Sequence, residues 1–167
     1  MNQFKRNVFA AAVFSVGSLV AGPAEQNPAP ASQCKAVHAD MVEDASTTGC
    51  KPSHPSCFLG NVDGNHGLRG TTYFRADAGA AGPSTSPGFI SYSGEFEYTT
   101  AFGTLTMRET GVVNQTQGNP ESGAVTAYQK IVGASGEFTG ATGHFFVSGF
   151  NIDQHVVTKL TGQICIP

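Results

Sequence analysis

Charge is the first thing this chain is short of. Asp, Glu, Lys and Arg make up 13% of its residues, about half the usual share of roughly 25%. Only 9 side chains are Lys or Arg. So few cations cannot track a phosphate backbone, which excludes nucleic acid as a partner. Several spacings that carry chemistry are also missing. There is no C-x-x-C or paired-histidine pattern of a zinc site, no Gly-x-Ser-x-Gly elbow and no phosphate loop. No metal and no cofactor is therefore expected. Beyond the first residues, no stretch has the apolar period of an amphipathic helix.

Glycine is present in excess, with 21 residues, and together with abundant threonine it suits a sheet protein with many turns. Met1 to Gly22 carries an address. Lys5 and Arg6 make a positive start, Val8 to Ala21 is an apolar run, and small residues follow. This is the pattern of a secretory signal at 1–24, with cleavage as late as Ala31. The run is shorter than the roughly 20 apolar residues of a membrane anchor. Residues 25–33 read as a Pro/Ala-rich disordered leader, and 34–167 as one domain with one core. The mature protein is expected to be secreted or periplasmic, without a membrane segment. Loss of Lys5 and Arg6 leaves 7 basic side chains against 12 acids, a net charge of −5, or −4 if Glu25 is also removed.

Cys34, Cys50, Cys57 and Cys165 all lie in the exported part, and an even number there reads as two disulfides with three pairings open. The favoured pairing joins Cys50 to Cys57, stapling Lys51 to Ser56, and Cys34 to Cys165, tying the first strand to the last.

Several stretches alternate with a period of two. Leu68, Gly70, Thr72 and Phe74 share one face, with Arg69, Thr71, Tyr73 and Arg75 on the other. In Phe89 to Thr99, Ile90, Tyr92, Gly94, Phe96 and Tyr98 oppose Ser91, Ser93, Glu95 and Glu97. In Thr104 to Val113, Leu105, Met107 and Glu109 oppose Thr104, Thr106 and Arg108. That period marks half-buried antiparallel strands. Further strands are expected at Ala36 to Val42, Phe58 to Val62, Ala124 to Val132, Ala141 to Phe150 and His155 to Ile166. Glu43 to Ser56 and Ala78 to Gly88 read as loops, and Asn114 to Gly123 as a turn. Asp63 to Gly67 is a turn that begins like a calcium loop and lacks its later ligands. Seven or eight strands at this spacing make a small antiparallel barrel or sandwich. The expected fold is all-β, an eight-stranded closed barrel, which leaves no edge and can hold one small ligand.

Between the strands at Ile131 and Phe145 lies a turn with Gly133, Gly136, Gly140 and Gly143, placed where positive φ or close approach is needed. Phe138, its one large apolar group, is expected to plug a barrel end. Leu105 to Gly111, followed by Ile131-Val132-Gly133-Ala134-Ser135-Gly136-Glu137-Phe138-Thr139-Gly140-Ala141-Thr142-Gly143, resembles the allene oxide cyclase and dirigent families, as an exported, bacterial-type member would. The likeness covers roughly residues 100–166, with Ala134 where those families usually have glycine. It implies a calycin-like eight-stranded barrel with an apolar lumen, a homotrimer, and cofactor-independent cyclase, isomerase or stereochemical-guide chemistry. Activity does not travel with a fold signature.

With the aromatic face of Phe89 to Thr99 inward, Tyr92 and Tyr98 enter the lumen beside Phe96. Leu105 and Met107 follow from the next strand, with Glu109 beyond them. A carboxyl group in an apolar mouth is desolvated, which raises its pKa and suits general acid–base work. Tyrosine hydroxyls orient a carbonyl or epoxide oxygen. Glu109, Tyr92 and Tyr98 are thus the catalytic candidates. Phe96, Met107, Leu105 and His144 are the ligand-contacting ones, His144 being taken to face inward with Phe146. The competing reading pairs Glu109 with Arg75 and leaves the tyrosines as core filling. Glu95 and Glu97 read as a solvated face, and His38 with Asp40 as at most two metal ligands without a third. Two classes follow. One is a catalyst or guide enclosing a small apolar molecule. The other is a non-catalytic barrel that binds such a ligand, or a protein through its loops.

Overall fold

A computed structural model describes residues 33–167, so the signal at 1–24 and the leader through residue 32 lie outside the described residues. Eight strands run in order around a closed barrel, each antiparallel to its neighbours, with the last returning to the first. They are β1 (Gln33–Ser46), β2 (Cys57–Gly64), β3 (Arg69–Ala81), β4 (Phe89–Thr100), β5 (Gly103–Thr116), β6 (Asn119–Ala134), β7 (Thr142–Ile152) and β8 (His155–Ile166). Period-two alternation sets the inner face, and the inward residues of β4 and β5 are those the alternation picks out. Closure satisfies every strand edge internally.

Several strands are longer than their alternating cores. β1 starts at Gln33, read as leader, and passes through Glu43 into the stretch read as a loop. β3 continues to Ala81 past a register shift between Ala76 and Ala78. β5 and β6 meet at Gln117-Gly118, so most of Asn114 to Gly123 is strand and not turn. Polar and small side chains extend each hairpin because its partner strand already offers backbone hydrogen bonds.

The glycine-rich turn closes one end. A 3-10 turn at Gly136–Phe138 follows β6, and Phe138 is buried in the core. Gly136 has φ +62°, and a Cβ there would stand 2.3 Å from the Phe102 carbonyl oxygen, so no side chain fits. Gly133 differs from expectation. It takes no positive φ and instead sits where β5 and β6 shift register. At the same end Cys34 and Cys165 face each other across β1 and β8 and are bonded. Cys50 bonds Cys57 at the opposite end. Both pairings match the favoured reading.

The stapled loop leans on the outside of β3. Tyr73 Oη contacts His54 Nδ1 at 2.5 Å and accepts from the Lys51 amide at 3.2 Å. Arg75 Nη1 lies 3.2 Å from His54 Nε2. Arg75 therefore faces outward, as the alternation has it, and the competing reading that pairs it with Glu109 does not hold.

Candidate functional site

The lumen has a filled half and a hollow half. Toward the Phe138 end, Phe96, Tyr98, Leu105, Met107 and Phe145 are packed with no appreciable exposure. The Phe96 and Tyr98 rings lie 4.7 Å apart, tilted by 38°, and Tyr98 meets Phe145 edge-on at 5.9 Å. Toward the end carrying the β1–β2 and β7–β8 connections lies a cavity of about 230 Å³. That is below the roughly 300–1,000 Å³ of drug-sized pockets, so it suits a small molecule. Met41, Phe58, Phe74, Ile90, Val125 and Val147 form part of its apolar wall. Its polar groups are Glu43, Tyr92, Glu109, Asn151 and Thr158.

Glycines shape the hollow half. A Cβ on Gly111 would stand 2.5 Å from the Tyr92 hydroxyl oxygen. Without it, the Tyr92 ring lies across β5 and its hydroxyl reaches the inward carboxyl two residues back. A Cβ on Gly60 would stand 2.7 Å from Glu43 Cγ, so Glu43 too rests against bare backbone.

Glu109 is buried and held at both oxygens. Tyr92 Oη donates to its Oε1 at 2.9 Å, and Gln129 Nε2 donates to its Oε2 at 2.5 Å. Gln129 is itself fixed, since its Oε1 accepts from Tyr98 Oη at 2.5 Å. Burial raises the Glu109 pKa, while the bonds from Gln129 and Tyr92 pull it back part of the way. Burial also raises the pKa of Tyr92, with Glu109 adding to the effect, so the phenol remains a donor.

Glu43 is the second buried carboxyl. Thr72 Oγ1 donates to its Oε1 at 2.8 Å. Burial pushes its pKa up to about 8, the Thr72 bond opposes that, and the Glu109 charge adds to it. Sequence reasoning missed Glu43 by ending the first strand one residue early. The signal was present, because Val37, Ala39, Met41 and Glu43 continue one alternation. Asn151 and Thr158 were missed as well. Asn151 Oδ1 and Thr158 Oγ1 are buried and make no hydrogen bond among the described residues.

The expected site residues fall into three places. Glu109 and Tyr92 come together in the cavity wall. Tyr98 lies behind them, bonded to Gln129 and outside the cavity lining. Phe96, Leu105 and Met107, expected to contact ligand, instead fill the closed half, because their volume leaves no space there. His144 is a correction of face. It lies outside the barrel, stacked 5.7 Å from Tyr128, while the neighbouring Phe145 takes the inward position. On the outer surface Asp40 pairs with Lys159 at 2.8 Å and does not join His38 at a metal. Among the described residues no group of three metal-ligating side chains comes together, and no helix is long and apolar enough to cross a membrane.

Fold and site together define a class: a closed eight-stranded antiparallel barrel whose lumen carries an apolar cavity with a buried carboxyl–tyrosine couple. Comparison with protein-family models, curated proteins and solved structures finds no match.

Proposed function

We propose that this protein is an exported barrel that encloses a small, largely apolar molecule and acts on it as a cofactor-independent isomerase or cyclase. The observation that carries the reading is the Glu109–Tyr92 couple in the wall of an otherwise apolar cavity. A carboxylate held there takes a proton from one position of the ligand and returns it, as the carboxylic acid, to another. That exchange leaves the proton balance unchanged and calls for no second reagent. Tyr92, kept protonated by burial, donates to oxygen charge that develops on the ligand. Two disulfides favour an oxidising compartment, which fits the signal-like first residues. The homotrimer implied by the family resemblance would bury the outward band of Val42, Val157 and Phe150, which lie in register across β1, β8 and β7.

A second reading, a non-catalytic carrier, is favoured by one observation: both oxygens of Glu109 already hold protein partners. Native mass spectrometry of the mature secreted protein, followed by denaturing extraction, tests the enclosing role. A trimer releasing a small apolar compound is expected, and an empty monomer overturns both the cavity and the assembly. With the compound in hand, Glu109→Gln is expected to abolish its conversion. Unchanged turnover in that variant leaves only the carrier.

A further inference from the structure

The ligand's head group can be read from the part of the cavity that the acid–base couple does not use. Glu43 on β1 lies opposite Val156 on β8, which lies opposite Asn151 on β7. Thr158, two residues along β8, is the diagonal neighbour of both and points into the same cavity. Thr158 thus stands within roughly 7–8 Å of each, and Glu43 and Asn151 flank β8 from either side, roughly 10 Å apart at the backbone, so a small group beside Thr158 lies between them.

These three side chains offer hydrogen-bond acceptors. Asn151 Oδ1 is acceptor only, and it is buried without a partner among the described residues. Thr158 is 3% exposed, and its Oγ1 is likewise unpartnered. Glu43 accepts from Thr72 at Oε1, and its Oε2 accepts from no described residue. No Lys, Arg or His lines the cavity to balance its two carboxyls. A carboxylate ligand would add a third acid with no cation beside it. An alcohol has one donor for three acceptors. An ammonium has three donors and no acceptor, and it supplies the counter-charge against which Glu43 can ionise.

Resting on the reading that this cavity encloses a small ligand, we propose that the ligand is a small primary amine. Its ammonium sits among Glu43, Asn151 and Thr158, and its apolar tail lies against Phe58, Phe74 and Tyr92. The tail then runs past the Glu109–Tyr92 couple, which places any proton exchange on the carbon side of the head group.

Proton linkage follows with a definite sign. Glu43 is mostly protonated at neutral pH, and an ammonium against it favours the carboxylate. Binding therefore releases up to one proton, and affinity rises from pH 6 toward pH 8. The titratable groups coupled to Glu43 are Glu109 from β5 and Tyr92 and Tyr98 from β4, and burial keeps both tyrosines protonated. Glu109 shifts in the same direction as Glu43.

Isothermal titration with hexylamine, hexanol and hexanoate, repeated in buffers of different ionisation enthalpy, tests the proposal on the full mature chain. Hexylamine is expected to bind with proton release, hexanol about tenfold or more weaker, and hexanoate not at all. Glu43→Gln should weaken hexylamine by roughly 10- to 100-fold and hexanol about threefold at most, since only the amine loses a charged hydrogen bond. Thr158→Val, which keeps the shape, should weaken hexylamine about fivefold. Hexanol binding as tightly as hexylamine, or Glu43→Gln without effect, overturns the amine while the cavity reading stands. If hexylamine, hexanol and dissolved hexane all fail to bind, the cavity reading itself falls and the amine with it.

Discussion

A carboxyl group at position 43 works against the fold whenever it is ionised. Its pKa is 4.5 as an ordinary glutamate and about 8 in the barrel. The folded state therefore holds a proton that the unfolded chain has released. Stability is greatest below about pH 4.5 and falls as the pH climbs to about 8, beyond which it levels off. The fall from this one residue is on the order of 5 kcal/mol at most. Glu109 shifts in the same direction and adds to it. Urea unfolding of the wild type is thus expected to give a lower midpoint at pH 8 than at pH 5. Glu43→Gln keeps the Thr72 contact and carries no charge, so it should raise the pH 8 midpoint and flatten the pH dependence. An equal or steeper dependence in the variant would mean that Glu43 is hydrated in the folded protein. Because the variant is expected to be the more stable protein, a loss of amine binding in it cannot be laid to unfolding.

Among the elements, the β7–β8 hairpin has the least suitable turn. Ile152 faces His155, so Asp153 and Gln154 are its only two turn residues. Both have positive φ, 52° and 68°, as the mirror-image turns of two-residue hairpins require. Aspartate tolerates that region and is held here, its Oδ1 accepting from Asn119 Nδ2 at 2.8 Å. Glutamine has no such excuse. Gln154→Gly creates the preferred Asp-Gly pair and is expected to stabilise the protein by about 0.5–1 kcal/mol, read as a rise in melting temperature. A fall would show that the glutamine side chain matters more than its backbone. The same scale explains what was legible in the sequence. Alternation placed the inward faces of β3, β4 and β5, and with them Tyr92 and Glu109, because period two survives wherever one face is buried. It stopped at Val42 and hid Glu43, because a buried charged residue looks identical to a loop residue. It also put His144 inward, since in His144-Phe145-Phe146 an aromatic occupies both faces and alternation alone does not choose. Which half of the lumen stays hollow depends on volumes summed around eight strands. The inward Gly60 and Gly111 decide it through contacts far apart in the chain.

For the whole molecule, closure is enforced twice at the β1–β8 seam, by backbone pairing from Gln33 to Asp44 and by the Cys34–Cys165 bond. The two disulfides nevertheless act on different states. Cys50–Cys57 spans 7 positions and Cys34–Cys165 spans 131. In the unfolded chain the short link removes little freedom, about 2.5 kcal/mol, and the long one about 5 kcal/mol. In the folded barrel the order of local effects is reversed. Strand pairing holds the seam without its sulfurs, whereas the β1–β2 loop otherwise leans on β3 mainly through His54, Lys51 and Tyr73. Replacing each pair by serines separates the two accounts. If the cross-links act through the unfolded state, Cys34→Ser/Cys165→Ser lowers the melting temperature by roughly 15 °C and Cys50→Ser/Cys57→Ser by about half as much, at roughly 3–4 °C per kcal/mol for a domain of this size. A larger loss from the short pair would assign its bond to fixing the loop beside the cavity mouth. In that case ligand affinity should fall in the same variant, because the Cys50–Cys57 staple sits at the cavity end of the barrel.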